Sequence, residues 1–342
     1  MISAAALSPG KTLFDDPQLQ EDLAEVRRIS LGFVSTASPL IRDTLLELFG
    51  SGEEKGRGKM LRPALVILAG RSGKWNRDRI LPLAAAVEFL HNATLIHDDI
   101  IDNSPLRRGQ PALHKTAGPR NAVLTGDYLL SCCFSLASRS THLDNGVHLS
   151  RAVARICEGE INQNLGRYNA LFSLREYRRR IAAKTAALFC MSLLAGAREA
   201  GCPDRLCLRF LRIGYCLGMA FQIVDDVLDY AGQDEVVGKS LGRDIREGVF
   251  TLPLIYALIR EEDSIGFDQG ESLRQLLAHP PYTEETVAAI LRRVELFGGA
   301  ELSRREAAVY LRRGEAEING LPPGYTRRML LELSGTLLYR SH

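Results

Sequence analysis

Apolar residues recur along this chain at intervals of three and four. Between residues 81 and 102, one row runs through Leu83, Val87, Leu90, Thr94 and Ile101, and another through Ala86, Phe89, Ala93, Ile96 and Ile100. Together they fill most of a helix surface, which predicts a core helix touched on several sides. Comparable patterns predict helices over 122–137, 147–165, 174–197, 206–230 and 252–259, with an amphipathic helix over 284–296. No run of alternating β-branched and aromatic residues appears. Asn145-Gly146 and Asn319-Gly320 come closest to hairpin turns, and each lies between helical patterns. Breaks fall at 50–58, 104–118, 201–203, 232–248, 279–283 and 320–324, and none is a long Pro/Ser/Gly linker. The expectation is an all-α protein of ten or more helices: a flexible N-terminal segment over 1–18, then one large helical domain over 19–342.

Composition agrees with a globular chain. Its 342 residues carry 43 Lys and Arg against 41 Asp and Glu, a net charge of +2, with 46% hydrophobic and 25% charged residues. That is too apolar for a disordered chain and too balanced for a dedicated nucleic-acid binder. Residues 1–18 lack both the basic start and the apolar run of a secretion signal, which points to the cytoplasm. The longest nearly uncharged apolar segment, 186–197, falls short of the roughly 18 residues of a membrane span. Seven cysteines, an odd number with no CxxC pair, read as reduced, mostly buried thiols.

Candidate chemistry lies in a repeated octapeptide. Leu95-Ile96-His97-Asp98-Asp99-Ile100-Ile101-Asp102 and Gln222-Ile223-Val224-Asp225-Asp226-Val227-Leu228-Asp229 each place three carboxylates, as DDxxD, at the end of an apolar helical run. At about 100° per residue, Asp98, Asp102 and Asp99 fall near 0°, 40° and 100° of the helix wheel, on one face. Their repulsion is costly unless cations sit among them, and Mg²⁺ prefers carboxylate oxygens with water and phosphate. A solvated acidic patch is the competing reading of one such motif. Two copies in otherwise apolar helices argue for a central cavity with two acidic walls, holding several Mg²⁺ ions and a phosphorylated substrate. Cations flank both motifs: Lys59, Arg62, Arg107 and Arg108 near the first, Lys184 and Lys239 near the second. Arg suits a bidentate grip on phosphate, and Lys acts as a mobile point charge.

At these residues the chain resembles the trans-isoprenyl (polyprenyl) diphosphate synthases. GKMLRP at 58–63, EFLHNATLIHDDIID at 88–102, RRG at 107–109, GD at 126–127, KT at 184–185, FQIVDDVLD at 221–229 and GKSLGRD at 238–244 occur in that family's order and spacing. The resemblance runs from about residue 58 to 254 and more weakly beyond. It implies an all-α fold and condensation of isopentenyl diphosphate with an allylic diphosphate, most often by a homodimer. It also implies roles. Asp98, Asp99 and Asp102, with Asp225, Asp226 and Asp229, would be metal ligands, and Asp244 would act through metal-bound water. Arg107, Lys184 and Lys239 would hold the allylic diphosphate. Lys59, Arg62, His91 and Arg108 would form the isopentenyl diphosphate pocket, a buried core histidine being the lesser reading of His91. Thr185 and Gln222 would line the reacting centre and stabilise positive charge, and the proton lost at the end would pass to the departing pyrophosphate.

One departure stands out. Many members carry EGK after the GKxxGxD segment, whereas this chain reads Glu247-Gly248-Val249, which removes one cation and favours a subgroup lacking that Lys. Product length is a steric matter: a tail running down the first-motif helix meets Thr94 and Ala93 first, then Leu90 and Phe89. Small residues at 93 and 94 leave room for a product beyond fifteen carbons, a hexaprenyl to decaprenyl diphosphate rather than geranylgeranyl or farnesyl diphosphate. A terpene cyclase would share the fold, but has no isopentenyl diphosphate for Lys59, Arg62, His91 and Arg108 to hold. A non-catalytic subunit of a heteromeric synthase would usually have lost DDxxD motifs, and this chain keeps both.

Overall fold

Helices account for almost all regular structure in the computed structural model, which describes residues 13–49, 59–107, 109–169, 173–231, 241–264 and 271–339. The chain is all-α, and among the described residues its one small departure is a hairpin. Leu106–Arg107 (β1) pairs antiparallel with Gln110–Pro111 (β2), inside the break predicted over 104–118. Gly109, at φ +80°, makes this tight reversal possible. The chain divides into two compact units, each drawing on three separate stretches.

The first unit comprises residues 1–148, 192–210 and 321–336. It contains α1 (Pro17–Ser35), α2 (Pro39–Phe49), α3 (Leu61–Gly70), α4 (Arg77–Ile101), the hairpin, α5 (Leu113–Thr116) and α6 (Pro119–Ala137). Its later stretches hold parts of α9 (Ala187–Glu199), α10 (Asp204–Ala231) and α16 (Tyr325–Tyr339). The central element is α4, which packs on α1, α3 and α6. Leu65, Ile67, Leu68, Leu83, Val87, Phe89 and Leu90 are buried in this core. Residues 13–18 belong to it too, although the sequence reading assigned them to a flexible segment. Leu13 is buried, and Asp16 caps α1 by accepting the Leu19 N–H at 2.9 Å and the Tyr325 hydroxyl at 2.6 Å. A lone apolar residue before a cap gives no periodic signal.

The second unit comprises residues 149–191, 211–320 and 337–342. It holds most of α7 (Leu143–Leu165), α8 (Leu174–Ile181), a π-helical turn (Ala182–Ala186) and the adjoining parts of α9 and α10. After these come α11 (Arg243–Arg246), α12 (Leu252–Asp263), α13 (Leu273–Leu276), α14 (Glu284–Leu296) and α15 (Gly299–Asn319). Phe250, Leu254 and Leu258 pack with Val287, Ile290 and Val294. Arg178 on α8 grips Glu306 on α15 through two hydrogen bonds of 2.8 and 3.0 Å.

Among the described residues, three helices, Arg77–Ile101, Leu174–Glu199 and Asp204–Ala231, are long and apolar enough to span a membrane. In each, most of the apolar window (72%, 72% and 61%) is buried inside the protein, so internal packing accounts for it. All seven cysteines are free thiols.

Candidate active site

In the first unit the site is built on the last three turns of α4. His91, Thr94, Asp98 and Asp102 keep accessible surface, while Ala93 and Asp99 are buried. On a wheel of about 100° per residue, His91, Thr94, Asp98 and Asp102 share an arc of roughly 80°, while Leu95, His97, Ile100 and Ile101 also keep accessible surface. Arg62, in the first turn of α3, meets His91 with Nη1 3.0 Å from Nε2, joining two residues assigned to the isopentenyl diphosphate pocket. Met60 precedes α3 in the left-handed conformation (φ +49°) and is buried, whereas Lys59 beside it is exposed.

Asp99 sits apart from its neighbours. Arg107, carried on β1, donates to both its oxygens, from Nε at 2.9 Å and from Nη2. This fork fixes the guanidinium plane at the mouth of the first motif. His97 is held from the other side. Its Nε2 lies 3.3 Å from the Val123 carbonyl and 3.5 Å from Asp127 Oδ1. A side chain at Gly126 would meet the His97 ring at 2.3 Å, so the Gly-Asp pair of α6 has a structural reason at 126. Leu90 and Phe89 are buried, with the Phe89 ring edge-on to Phe33 of α1 at 6.3 Å.

In the second unit the candidate residues gather around the π turn (Ala182–Ala186). The extra residue in that turn re-aims Lys184 and Thr185, a common use of π-bulges at functional sites. Lys184 pairs with buried Glu160 of α7, Nζ to Oε1 2.6 Å. A side chain at Gly218 would stand 2.6 Å from Ala186 Cα, so glycine there lets α10 lie against the turn. One helical turn later, Gln222 reaches it: Thr185 Oγ1 donates to Gln222 Oε1 at 2.6 Å. Gln222 Nε2 donates to Asp226 Oδ1 at 2.7 Å, and the buried Tyr177 hydroxyl donates to Asp226 Oδ2 at 2.6 Å. Asp225 is exposed. Asp229 accepts the backbone N–H groups of Arg243 (3.1 Å) and Asp244 (3.0 Å), tying α11 to α10. Gly248 (φ +71°) lies under the Tyr168 ring, and Val249, at the family's lysine position, is buried. Arg108 and Lys239 lie outside the described residues.

Burial dominates the electrostatics here. It pushes the Asp226 carboxyl up to about 7, although bonds from Tyr177 and Gln222 oppose this. Asp229 is raised by burial and partly relieved by its two backbone donors. Asp244 is raised well above its ordinary value by burial and by the negative charge of Asp229 and Asp226. Buried acids that disfavour one another's charge fit a place meant for cations. Among the described residues no three His, Cys, Asp or Glu side chains converge to cage a metal ion.

Two residues here were absent from the sequence reading, Glu160 and Tyr177. Glu160 lies in the Glu158-Gly159-Glu160 stretch of a strongly patterned helix, and Tyr177 lies two helical turns before Lys184. An acid placed on the buried stripe of α7, with Gln163 one turn on, was the available signal.

A sequence model of the polyprenyl synthetase family matches residues 50–294. The chain belongs to this family. Heptaprenyl diphosphate synthase component 2 of Bacillus subtilis is 32% identical over 318 residues, covering 92% of this chain and 87% of that protein. Geranylgeranyl diphosphate synthase of Methanosarcina mazei is 33% identical, covering 83% and 86% respectively. Among solved structures, the Caulobacter crescentus polyprenyl synthase complexed with calcium and isoprenyl diphosphate superposes with a TM-score of 0.87 at 32% identity, covering 98% of this chain and 99% of that one. The chain is therefore a prenyltransferase, and the polyprenyl synthetase family supplies the frame for the residues described above.

Proposed function

We propose that this prenyltransferase condenses isopentenyl diphosphate head-to-tail with an allylic diphosphate, with Mg²⁺, to give an all-trans polyprenyl diphosphate longer than fifteen carbons. The observation that carries the reading is the accessible stripe of α4, where Asp98 and Asp102 stand in line with Thr94 and the Arg62-paired His91. Asp98, Asp102, Asp225 and Asp244 would hold the metal ions. When bound, Mg²⁺ neutralises charge developing on the leaving diphosphate. Arg107, its guanidinium fixed by Asp99, and Lys184, steered by Glu160, bind diphosphate oxygens. Lys59, Arg62, His91 and Arg108 hold isopentenyl diphosphate without metal. Thr185 and Gln222 direct oxygen lone pairs at the allylic cation, and apolar walls exclude water. Lys239 adds a further cation for the allylic substrate.

The tail follows the α4 stripe, so Thr94 is the first side chain below Asp98. Ala93, Leu90 and Phe89 are packed behind that face. A small residue at 94 supports a long product; the relatives carry names of both longer and shorter products. The working unit we propose is a homodimer joined through α6, where Leu124 and Phe134 are 55% and 45% exposed.

The Bacillus relative's designation as component 2 supports a second reading, in which the chain needs a partner subunit to turn over. One assay separates the readings: purified protein, Mg²⁺, labelled isopentenyl diphosphate and farnesyl diphosphate. Elongated diphosphate supports the condensation. Turnover that appears on adding a second protein supports the heteromer, and hydrocarbon formed without incorporation of label indicates a cyclase.

A further inference from the structure

Arg180, in the last turn of α8, is 8% exposed, and a guanidinium keeps its charge when buried. Arginine is rarely buried to this degree unless that charge is matched. Its Nη2 donates to the Phe250 carbonyl at 2.7 Å, and its guanidinium carbon lies 5.6 Å from the centre of the Tyr177 ring. The Tyr177 hydroxyl in turn donates to Asp226, so one side chain touches both the guanidinium and the second motif. Burial raises the Asp226 carboxyl, and the Arg180 charge opposes it after the bonds from Tyr177 and Gln222. The bond to Phe250 brings Arg180 beside the position where valine stands in place of the lysine of many family members. The Val249 N–H donates to the Asp244 carbonyl at 2.8 Å, and the Gly248 carbonyl accepts the Tyr168 N–H at 2.8 Å. Val249 itself is buried and brings no charge, whereas the carbonyl of the next residue is held by a buried cation.

We propose that Arg180 supplies from α8 the positive charge that valine at 249 leaves out, as a positioning residue that ties down residues 249–251 and offsets the second acidic motif without touching substrate. This rests on the prenyltransferase reading for the need, a place where carboxylates, metal ions and a diphosphate gather. Burial makes the exchange effective, because a charge removed from solvent is little screened and acts over distances at which an exposed lysine is damped. A purely structural staple needs only the hydrogen bond to Phe250 and not the charge, so the two roles part when a neutral donor replaces the guanidinium.

The test compares Arg180→Lys, Arg180→Gln, Val249→Lys and the double variant Arg180→Gln/Val249→Lys with the parent enzyme. Arg180→Lys keeps the charge, and Arg180→Gln keeps an N–H donor for the Phe250 carbonyl without it. Three measurements are made: calorimetric titration of Mg²⁺ with inorganic pyrophosphate present, steady-state kinetics with farnesyl and isopentenyl diphosphates, and thermal melts to verify folding. Arg180→Gln is expected to weaken Mg²⁺-pyrophosphate binding about tenfold. Its KM for farnesyl diphosphate should rise by a similar factor, while KM for isopentenyl diphosphate stays within about twofold of the parent. Arg180→Lys is expected to bind within about threefold of the parent, and the double variant to recover to the same level. Equal losses in Arg180→Lys and Arg180→Gln overturn the assignment, as does parent-like pyrophosphate binding by Arg180→Gln or a double variant as weak as Arg180→Gln alone. If the variants at 180 do not fold, Val249→Lys alone still decides. With the charge already in place it should tighten binding by less than about threefold, and a gain of about tenfold or more shows the position unfilled and overturns the proposal. A parent enzyme that elongates nothing refutes the activity reading, whereas the titration tests Arg180 independently of turnover.

Discussion

Thr94→Phe tests the proposed course of the tail. Thr94 lies one helical turn before Asp98 on the same stripe, about 6 Å along the axis at 1.5 Å per residue. An isoprene unit of four carbon–carbon bonds of about 1.5 Å spans roughly 5 Å. A ring filling that turn therefore removes room for about one unit at this depth and blocks everything beyond it. The expected outcome is a product shorter by at least one unit, with the melting temperature little changed because residue 94 is half-buried. Ala93→Phe is the companion variant. Ala93 has no solvent exposure, so shortening there comes with overpacking that costs about 1–3 kcal/mol. Products are dephosphorylated and sized by chromatography against prenyl alcohols, and thermal melts are recorded for both variants. An active Thr94→Phe enzyme with the parent's product length refutes the tail path along α4.

Other consequences follow from packing and burial. Gly218→Ala brings a methyl group to 2.6 Å from the Ala186 backbone, so overpacking of about 1–3 kcal/mol should outweigh a helix-propensity gain of about 1 kcal/mol, read as a lower denaturation midpoint. A thiol reagent at neutral pH should label exposed Cys157 and spare Cys133, whose thiol burial pushes up to about 12; labelling of native Cys133 at the rate of Cys157 would contradict this. Asp226 has a folded pKa of about 7 against an ordinary 3.8, so the folded state holds the proton more tightly than the unfolded chain. Its contribution to stability is present below about pH 4 and is lost as pH rises through about 7. In metal-free protein, Asp226→Asn should therefore melt higher relative to the parent at pH 8 than at pH 4, and a pH-independent difference would contradict the sign.

Long helices were legible because their apolar periodicity persists over many turns. The patterns at 81–102, 206–230 and 284–296 match α4, α10 and α14 to within a few residues. The 174–197 pattern hid the π turn, because one inserted residue shifts the helical phase without interrupting the apolar run. The DDxxD motifs were visible as sequence, yet a wheel cannot show that Asp99 turns inward to Arg107 or that Asp226 is held by Tyr177. The first depends on the hairpin that follows α4, and the second on α8, 49 residues away along the chain. Glu160 was missed for the same reason: its partner, Lys184, is brought to it by the close packing of Gly159 against Ala183.

Mass spectrometry of the products formed by the purified chain from farnesyl diphosphate, isopentenyl diphosphate and Mg²⁺ tests the central claim most directly. The account predicts prenyl diphosphates heavier than the primer by whole C₅H₈ units, abolished when the metal is chelated. Recovery of unchanged farnesyl diphosphate, or its conversion to a fifteen-carbon hydrocarbon, would contradict it.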